Sequence, residues 1–239
     1  MRDTLKLLDH GNTKMVAHRG VSGVETENTA AAFIAAGNRS YWGVETDIWR
    51  TSDGQFICNH DGRSGRICET DLIMERSTLS DLRALTLKDI DSVTDRGDLK
   101  LCLPSEYVKI CSSYGKVCVP ELKSAFTIDE IRGIMDIFSG YLDSTIFISF
   151  NYHNLELVKE VRPAQKCQFL TGDVDAALID KLHAAGMDLD IESGGLTQEK
   201  LNACHEGGIV VNCWTVDRLE RASELVSWGV DQITSNIIE

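Results

Sequence analysis

Two kinds of hydrophobic pattern alternate along the chain. Short apolar runs rich in β-branched residues are typical of buried strands, and longer stretches with apolar residues every three or four positions are typical of amphipathic helices. Strands are predicted at 15–18, 43–48, 116–122, 145–150, 166–170, 187–191, 209–214 and 230–234. Helices are predicted near 28–38, 127–139, 153–161, 174–185, 197–206 and 217–228. The chain therefore repeats a strand-then-helix unit over most of its length.

This repeat predicts an α/β fold. In a chain of 239 residues, eight such strands favour a closed (β/α)₈ TIM barrel over an open doubly wound sheet. We expect residues 1–239 to form a single domain. The interval 61–115 is too long for one loop and one helix, so it predicts a small helical insertion after strand 2, with helices near 78–86 and 104–113. Only five residues follow Thr234, and we expect residues 1–11 to cover the place of the missing eighth helix.

The composition excludes several classes of partner. A net charge of −13 argues against a nucleic-acid partner, which needs a basic face, and an anionic substrate would need a metal or local basic groups. No run approaches the roughly 18 apolar residues of a membrane span. The N-terminal stretch is polar and lacks the apolar core of a signal peptide, so we expect a cytoplasmic protein.

The cysteines are predicted to be core residues. Eight are present, and none stands in a C-x-x-C pair. Cys58, Cys118, Cys167 and Cys213 fall in or beside strand-like runs, as small apolar side chains do. Because a chain of this length can bury a core without cross-links, we expect reduced thiols rather than a disulfide framework.

Three acidic residues stand near the ends of predicted strands. Side chains along a strand alternate faces, so Glu45 and Asp47 project the same way, as do Glu121 and Lys123 on the following barrel strand. Inward-facing residues at the C-terminal ends of barrel strands converge on one mouth. Glu45, Asp47 and Glu121 would repel one another there unless a cation lay among them. Their oxygen atoms suit Mg²⁺ or Ca²⁺, and their apolar flanks argue against a solvated rim.

Two histidines accompany these acids. His18 and His60 each follow an apolar run, and two histidines beside a carboxylate cluster are typical of a general acid and base. Arg19 and Lys123 offer positive charge to a phosphate oxygen. Gly20 permits a sharp turn or a close approach of the backbone to a ligand.

A set of short motifs connects these residues. They are H-R-G at 18–20, E-N-T at 27–29, E-x-D at 45–47, D-G at 53–54, H-D at 60–61, E-x-K at 121–123, S-F at 149–150 and W-T-V at 214–216. Each motif is weak alone. In this order, the set resembles the glycerophosphodiester phosphodiesterases, and the resemblance covers nearly the whole chain.

The resemblance implies roles for particular residues. It implies a barrel with a divalent cation, Mg²⁺ or Ca²⁺, on Glu45, Asp47 and Glu121, and with His18 and His60 as the acid–base pair. The further implied or candidate site residues are Arg19 and Lys123 for phosphate, Trp214 for the glycerol or head-group side, and Glu27, Asn28 and Phe150 as supporting residues. For Asn28, a helix N-cap is the alternative role.

Two departures from the family pattern are visible. Thr26 stands where the family usually has proline, which should matter little. Residues 232–236 read Q-I-T-S-N instead of the usual G-I-I-T-D ending. We expect the second change to lie on the rim and to affect specificity more than the reaction.

The implied function is metal-dependent hydrolysis of a small-molecule glycerophosphodiester to sn-glycerol 3-phosphate and an alcohol. The nucleophile is water or the glycerol 2-hydroxyl, and the sequence does not assign acid and base between the histidines. One alternative is a lysophospholipase D-type lipid phosphodiesterase, which needs an apolar path that 61–115 lacks. The other is a catalytically silent phosphodiester-binding barrel, and the intact histidines and carboxylates argue against it.

Overall fold

Strands and helices alternate along the computed structural model of the protein, which describes residues 2–239. In chain order the elements are β1 (Lys14–Ala17), α1 (Ala30–Gly37), β2 (Gly43–Arg50), β3 (Phe56–Cys58), α2 (Leu79–Ala84), β4 (Leu87–Lys88), β5 (Asp95–Arg96), α3 (Pro104–Ser113), β6 (Val117–Leu122), α4 (Ile128–Ile137), β7 (Ile146–Ser149), α5 (Tyr152–Val161), β8 (Lys166–Thr171), α6 (Ala176–Ala185), β9 (Asp188–Glu192), α7 (Gln198–Glu206), β10 (Val211–Trp214), α8 (Leu219–Trp228) and β11 (Gln232–Ser235).

Within residues 2–239, eight parallel strands close into a barrel. Their order is β1, β11, β10, β9, β8, β7, β6 and β2, and the pairing of β1 with β2 closes the circle. The register between β2 and β6 sets Asp47 opposite Glu121. The prediction of a TIM barrel is confirmed. The eight predicted strands are present, with ends that differ from the prediction by at most two residues.

Several barrel helices begin at polar caps. Thr29, Thr127 and Thr197 each accept a hydrogen bond from a backbone N–H in the first turn of α1, α4 and α7. Because the cap itself is not helical, α1 begins at Ala30 and not at position 28 as predicted. In the described part of the chain, no helix has the length and apolar character needed to cross a membrane.

Two apolar layers fill the barrel region. The main core packs the outward faces of the strands against the surrounding helices, and all eight cysteines are buried as free thiols, as predicted. On the opposite face of the strands, Val16, Val119, Ile146, Ile148 and Leu170 form a separate cluster inside the barrel. This inner cluster closes the barrel interior with packed side chains.

The segment between β2 and α3 interrupts the simple repeat. β3 folds back antiparallel on the end of β2, after a turn in which Gly54 has a φ of +72°. A strand of three residues has too little periodicity to be predicted, and β3 was not among the expected strands. The following residues, with α2 and the β4–β5 hairpin, build a second core around Ile57, Met74 and Leu82. This core ends before α3, which packs outside the barrel against α1 and α4.

The two ends of the chain meet beside β11. The Leu5 N–H donates to the Ile237 carbonyl at 2.9 Å, and the Glu239 N–H donates to the Leu5 carbonyl at 2.9 Å. The Glu239 carboxylate also accepts from the Ser40 N–H at 2.8 Å, just after α1. The N-terminal segment therefore lies against the residues that follow β11.

Candidate active site

The three acidic residues meet at the C-terminal mouth of the barrel. Glu45 and Asp47 lie on β2, and Glu121 lies opposite Asp47 on β6. One carboxylate oxygen from each lies within 4.8 Å of the others, and all three side chains are buried. The sequence placed these residues on one face of neighbouring strands, and barrel closure turns that face inward.

The electrostatics of this cluster require a positive partner. Burial and the nearby Asp47 raise the pKa of Glu121 to about 7, and burial also raises the pKa of Glu45 well above its ordinary value. Burial acts in the same direction on Asp47, but Lys123 and Arg19 outweigh it and lower its pKa. Three buried oxygen donors with this excess of negative charge fit a hard divalent cation such as Mg²⁺ or Ca²⁺.

Two basic residues flank the acids. Lys123 Nζ lies 3.0 Å from Glu121 Oε1 and 3.4 Å from Asp47 Oδ1. Arg19 Nη1 donates to Glu27 at 3.1 Å, and its Nε lies 3.8 Å from Asp47 Oδ2 without a hydrogen-bond partner. The Arg19 Nε–H is thus a buried donor without a hydrogen-bond partner that faces the acidic cluster.

His18 is held in position from the far end of the chain. Its Nδ1 lies 2.8 Å from Asn236 Oδ1, and Asn236 donates from its backbone N–H and its amide to Asp217 at 2.8 and 2.5 Å. His18 Nε2 lies 4.0 Å from Glu45 Oε2. Burial lowers the pKa of His18 to about 4, so the ring is neutral at pH 7. With its Nδ1–H donated to Asn236, Nε2 carries the lone pair that faces the mouth.

The position of Asn236 changes one interpretation. From the sequence, the altered ending 232–236 was expected to concern the rim and specificity. The contact between Asn236 and His18 brings this departure to a candidate catalytic group instead. The reason is topological, because β1 and β11 are neighbours in the closed barrel.

His60 is connected to Glu27 through a chain of ion pairs. Its Nδ1 lies 2.9 Å from Asp61, and Asp61 accepts from Arg66 Nε at 2.6 Å. Arg66 also forms a bidentate ion pair with Glu27, with both hydrogen bonds at 2.7 Å. Burial lowers the pKa of His60. Arg66 was not found by sequence reasoning because it stands outside every motif, in the segment after β3.

Asn28 supports Asp47 and does not cap a helix. Its Nδ2 donates to Asp47 Oδ2 at 2.8 Å, and its Oδ1 accepts from the Thr46 hydroxyl at 2.7 Å. The cap of α1 is Thr29. Asn28 is fully buried and has a φ of +55°, a conformation that Asn tolerates better than most residues. Both amide atoms are thereby committed to the strand that bears the acids.

Gly20 closes the turn that carries His18 and Arg19. Its φ is +75°, and a Cβ at this position would lie 2.6 Å from the Ala32 side chain. The Arg19 N–H donates to Glu45 Oε2 at 2.7 Å, which fixes the turn to β2. Of the two roles expected for Gly20, the structure shows a sharp turn packed tightly on α1.

The other side of the mouth is less charged. The rings of Phe150 and Trp214 meet edge to face with centroids 5.6 Å apart, and Phe150 is half exposed. The buried indole Nε1 of Trp214 has no hydrogen-bond partner. Together the two sides enclose a cavity lined by His18, Arg19, Glu45, His60, Glu121, Ile148, Phe150, Leu170, Asp190, Trp214, Thr215 and Thr234. Asp190 was missed from the sequence, because no motif contains it.

Comparison with known proteins assigns the chain to a family. The model of the Glycerophosphoryl diester phosphodiesterase family matches residues 18–239. The chain belongs to this family. Over 237 residues it is 27% identical to the glycerophosphodiester phosphodiesterase of Caldanaerobacter subterraneus subsp. tengcongensis, and the match covers 94% of each chain. The resemblance and the enzyme class inferred from the motifs are confirmed.

Solved structures of phosphodiesterases share the fold. An Oleispira antarctica phosphodiesterase, in complex with its product sn-glycerol-3-phosphate, superposes with a TM-score of 0.83 at 23% identity, covering 93% of this chain and 92% of that one. The glycerophosphodiester phosphodiesterase of Thermotoga maritima gives a TM-score of 0.73 at 20% identity, with 95% and 96% covered. The family barrel is therefore preserved at low sequence identity.

Proposed function

We propose that this phosphodiesterase hydrolyses glycerophosphodiesters to sn-glycerol 3-phosphate and a free alcohol in a cation-dependent reaction. The observation that carries the proposal is the buried cluster of Glu45, Asp47 and Glu121, with oxygens within 4.8 Å of one another, beside His18 and His60. Membership of the family supports the substrate class.

The three carboxylates are the proposed ligands of Mg²⁺ or Ca²⁺. A bound cation at this position would polarise the phosphoryl oxygens and offset the charge that develops on them. Burial raises the pKa values of both Glu45 and Glu121, so a bound cation would favour the charged forms that burial disfavours. Asn28 holds Asp47 in place through its amide, so Asp47 presents its remaining oxygen positions to the mouth.

Arg19 and Lys123 are the proposed phosphate-binding groups. Both lie at the edge of the carboxylate cluster, and Arg19 Nε is a buried donor without a partner. An anionic phosphate would provide the acceptor that this donor lacks. Their positive charges are local to the site, in a chain whose net charge of −13 would otherwise repel an anionic substrate.

The two histidines are the proposed acid and base. One takes a proton from the nucleophile, and the other donates a proton to the departing alkoxide. His18 is neutral with its Nδ1 bound to Asn236, and His60 is oriented by Asp61. The nucleophile is water or the glycerol 2-hydroxyl, and detection of a cyclic phosphate among early products separates these two routes.

Two other activities remain as outcomes of the test. A lysophospholipase D-type reaction would need room for an acyl chain beside the apolar wall of Ile148, Phe150 and Leu170. A silent phosphodiester-binding barrel would bind substrate without turnover. Glycerophosphocholine and lysophosphatidylcholine, compared as substrates with and without EDTA, separate all three.

The metal proposal is tested by calorimetry on Glu121→Gln. This change keeps the shape of the side chain but removes one charged ligand, so affinity for Mg²⁺ or Ca²⁺ should fall by more than about 100-fold, beyond the effect typical of outer-shell partners. Glu220→Gln on α8, where the carboxylate is exposed, is the matched control. Unchanged affinity in Glu121→Gln would reject the ligand assignment, and unchanged turnover in EDTA would reject cation dependence.

A further inference from the structure

Asp190 is a buried acid for which the proposed chemistry has no use. It lies on β9, is 1% exposed, and lines the same cavity as His18, Glu121 and Trp214. Its buried Oδ1 has no hydrogen-bond partner. Among residues 2–239, the ion pairs include none to Asp190, so no cationic side chain compensates it.

A buried carboxyl oxygen without a hydrogen-bond partner reduces the stability of the folded protein. A buried polar atom without a partner typically costs about 1–3 kcal/mol, and more if it is charged. Burial raises the pKa of Asp190 well above its ordinary value, which favours the protonated carboxyl over the carboxylate. A ligand in the cavity that offers a hydroxyl would satisfy it.

A complementary group lies on the next strand. The register places Asn212 directly opposite Asp190. Trp214 is two residues further along β10, so its side chain lies on the same inward face as those of Asn212 and Asp190. The Trp214 Nε1–H is a buried donor without a partner. An acid oxygen and an indole N–H together match a hydroxyl, which donates to one group and accepts from the other.

The surroundings limit what this pair can bind. Leu170 lies opposite Asp190 on β8, and Ile148 lines the same wall of the cavity. These side chains suit short carbon chains. Asp190 is not part of the carboxylate group that gathers within 4.8 Å, so it does not extend the proposed cation site.

We propose that Asp190 and the Trp214 N–H form a hydroxyl-binding subsite that selects the glycerol moiety of the substrate. The proposal rests on the proposed function, since it assumes that a glycerophosphoryl group occupies the cavity. It makes Asp190 a specificity-determining residue, distinct from the residues that handle phosphate.

Binding of two phosphate monoesters tests the subsite directly. With Mg²⁺ present, calorimetry compares sn-glycerol 3-phosphate with propyl phosphate, which has the same carbon chain but no free hydroxyl. The parent enzyme should bind the glycerol ester more tightly. Asp190→Ala should reduce this preference by about tenfold, corresponding to about 1.4 kcal/mol, without weakening propyl phosphate. Asp190→Asn should keep part of the preference, because an amide still makes hydrogen bonds.

Two further variants distinguish loss of the subsite from misfolding. Trp214→Phe keeps an aromatic ring but removes the N–H together with part of the ring volume, and it should reduce the preference by a smaller factor. Asp188→Asn, on the same strand, changes an acid that accepts from the Val210 N–H at 3.0 Å outside the catalytic cavity, and it should leave the preference unchanged. A full preference in folded Asp190→Ala and Trp214→Phe would overturn the subsite.

Turnover of bis(4-nitrophenyl) phosphate separates the failure of this subsite from that of the proposed function. If the parent cleaves this hydroxyl-free diester but binds both monoesters equally, the subsite is wrong and the phosphodiesterase chemistry stands. If the parent prefers sn-glycerol 3-phosphate but cleaves no glycerophosphodiester, the proposed function is wrong and the subsite stands. The subsite would also be overturned if the Asp190 variants changed the preference among head groups but kept the preference for sn-glycerol 3-phosphate over propyl phosphate.

Discussion

The two sides of the barrel mouth differ in how their polar groups are satisfied. On the side of β1, β2 and β6, charged groups are linked to one another, as in the chain from His60 through Asp61 and Arg66 to Glu27. On the side of β7 to β10, the wall is apolar, and Asp190 Oδ1 and Trp214 Nε1 have no partner. The first side is preorganised for an ion and a phosphate, with Arg19 Nε as the donor left for the phosphate, whereas the polar groups of the second side are paired only when a ligand is bound.

This difference implies that the two sides of the mouth have separate roles in catalysis and in substrate selection. A linked charge network holds its geometry without substrate, which is what electrostatic stabilisation of a phosphoryl group requires. Unsatisfied groups in an apolar wall discriminate instead, because a ligand that lacks the matching group leaves them unpaired. Changes on the charged side should therefore affect the rate with all substrates, and changes on the apolar side should affect the choice among substrates.

The largest effect is expected from the histidines. His18→Ala and His60→Ala should each lower kcat by about 10²–10⁴, with little change in substrate binding, because proton transfer is lost in the transition state. If the two act as a pair, the double variant should lose much less than the product of the single losses. A fully multiplicative loss in steady-state kinetics would mean that they act independently or that one is structural.

A direct contrast between the sides comes from Lys123 and Trp214. Lys123→Met should lower kcat/KM by about 10–100-fold for every diester, as expected when a hydrogen bond to a charged group worth about 1.5–3 kcal/mol is lost. Trp214→Ala should change the ranking among glycerophosphocholine, glycerophosphoethanolamine and glycerophosphoglycerol by about 2–30-fold, since cation–π contacts contribute about 0.5–2 kcal/mol.

Both variants are assayed at saturating metal, with melting temperatures as the control for folding. An equal loss across the three substrates in Trp214→Ala, with an unchanged preference for sn-glycerol 3-phosphate over propyl phosphate and a lower melting temperature, would make Trp214 a packing residue. The contrast between the two sides would then fail.

The smallest effect concerns stability without metal. Burial and Asp47 raise the pKa of Glu121 from 4.5 to about 7, so the folded state retains a proton that the unfolded state has released. Stability is therefore lost as the pH rises from about 5 to 8. Glu121→Gln cannot lose that proton, and in EDTA its melting temperature should gain on the parent by a few degrees over this range.

Saturating Mg²⁺ should reverse this order at about pH 8, because only the parent retains all three carboxylates. The titration of His18 occurs in both proteins and largely cancels in the difference. The charge of Glu121 contributes to the raised pKa of Glu45, so Glu121→Gln should also lower that pKa, which changes the difference in the same direction. A difference in melting temperature that is flat with pH, as expected for the exposed Glu220→Gln control, would contradict the strained charge cluster.

The sequence was most informative where a single strand carries the signal. Glu45 and Asp47 are two residues apart on β2, so alternation alone predicts that they share a face. Contacts between segments that are distant in the sequence could not be predicted. His18 and Asn236 are 218 positions apart, and only closure of β1 against β11 brings them within 2.8 Å. Arg66 and Asp190 belong to no motif, so their contribution to the site is visible only in the folded chain.

Hydrophobic periodicity and the ordered motifs by themselves determined the barrel class, the family and the residue types at its mouth. Both signals are local, because strand alternation and motif spacing are written in neighbouring residues. The tertiary structure decided which groups have partners: Asn28 with Asp47, Asn236 with His18, and none for Asp190 Oδ1. Hydrogen bonds depend on distances of about 3 Å, and such distances are set by the register and closure of the whole barrel.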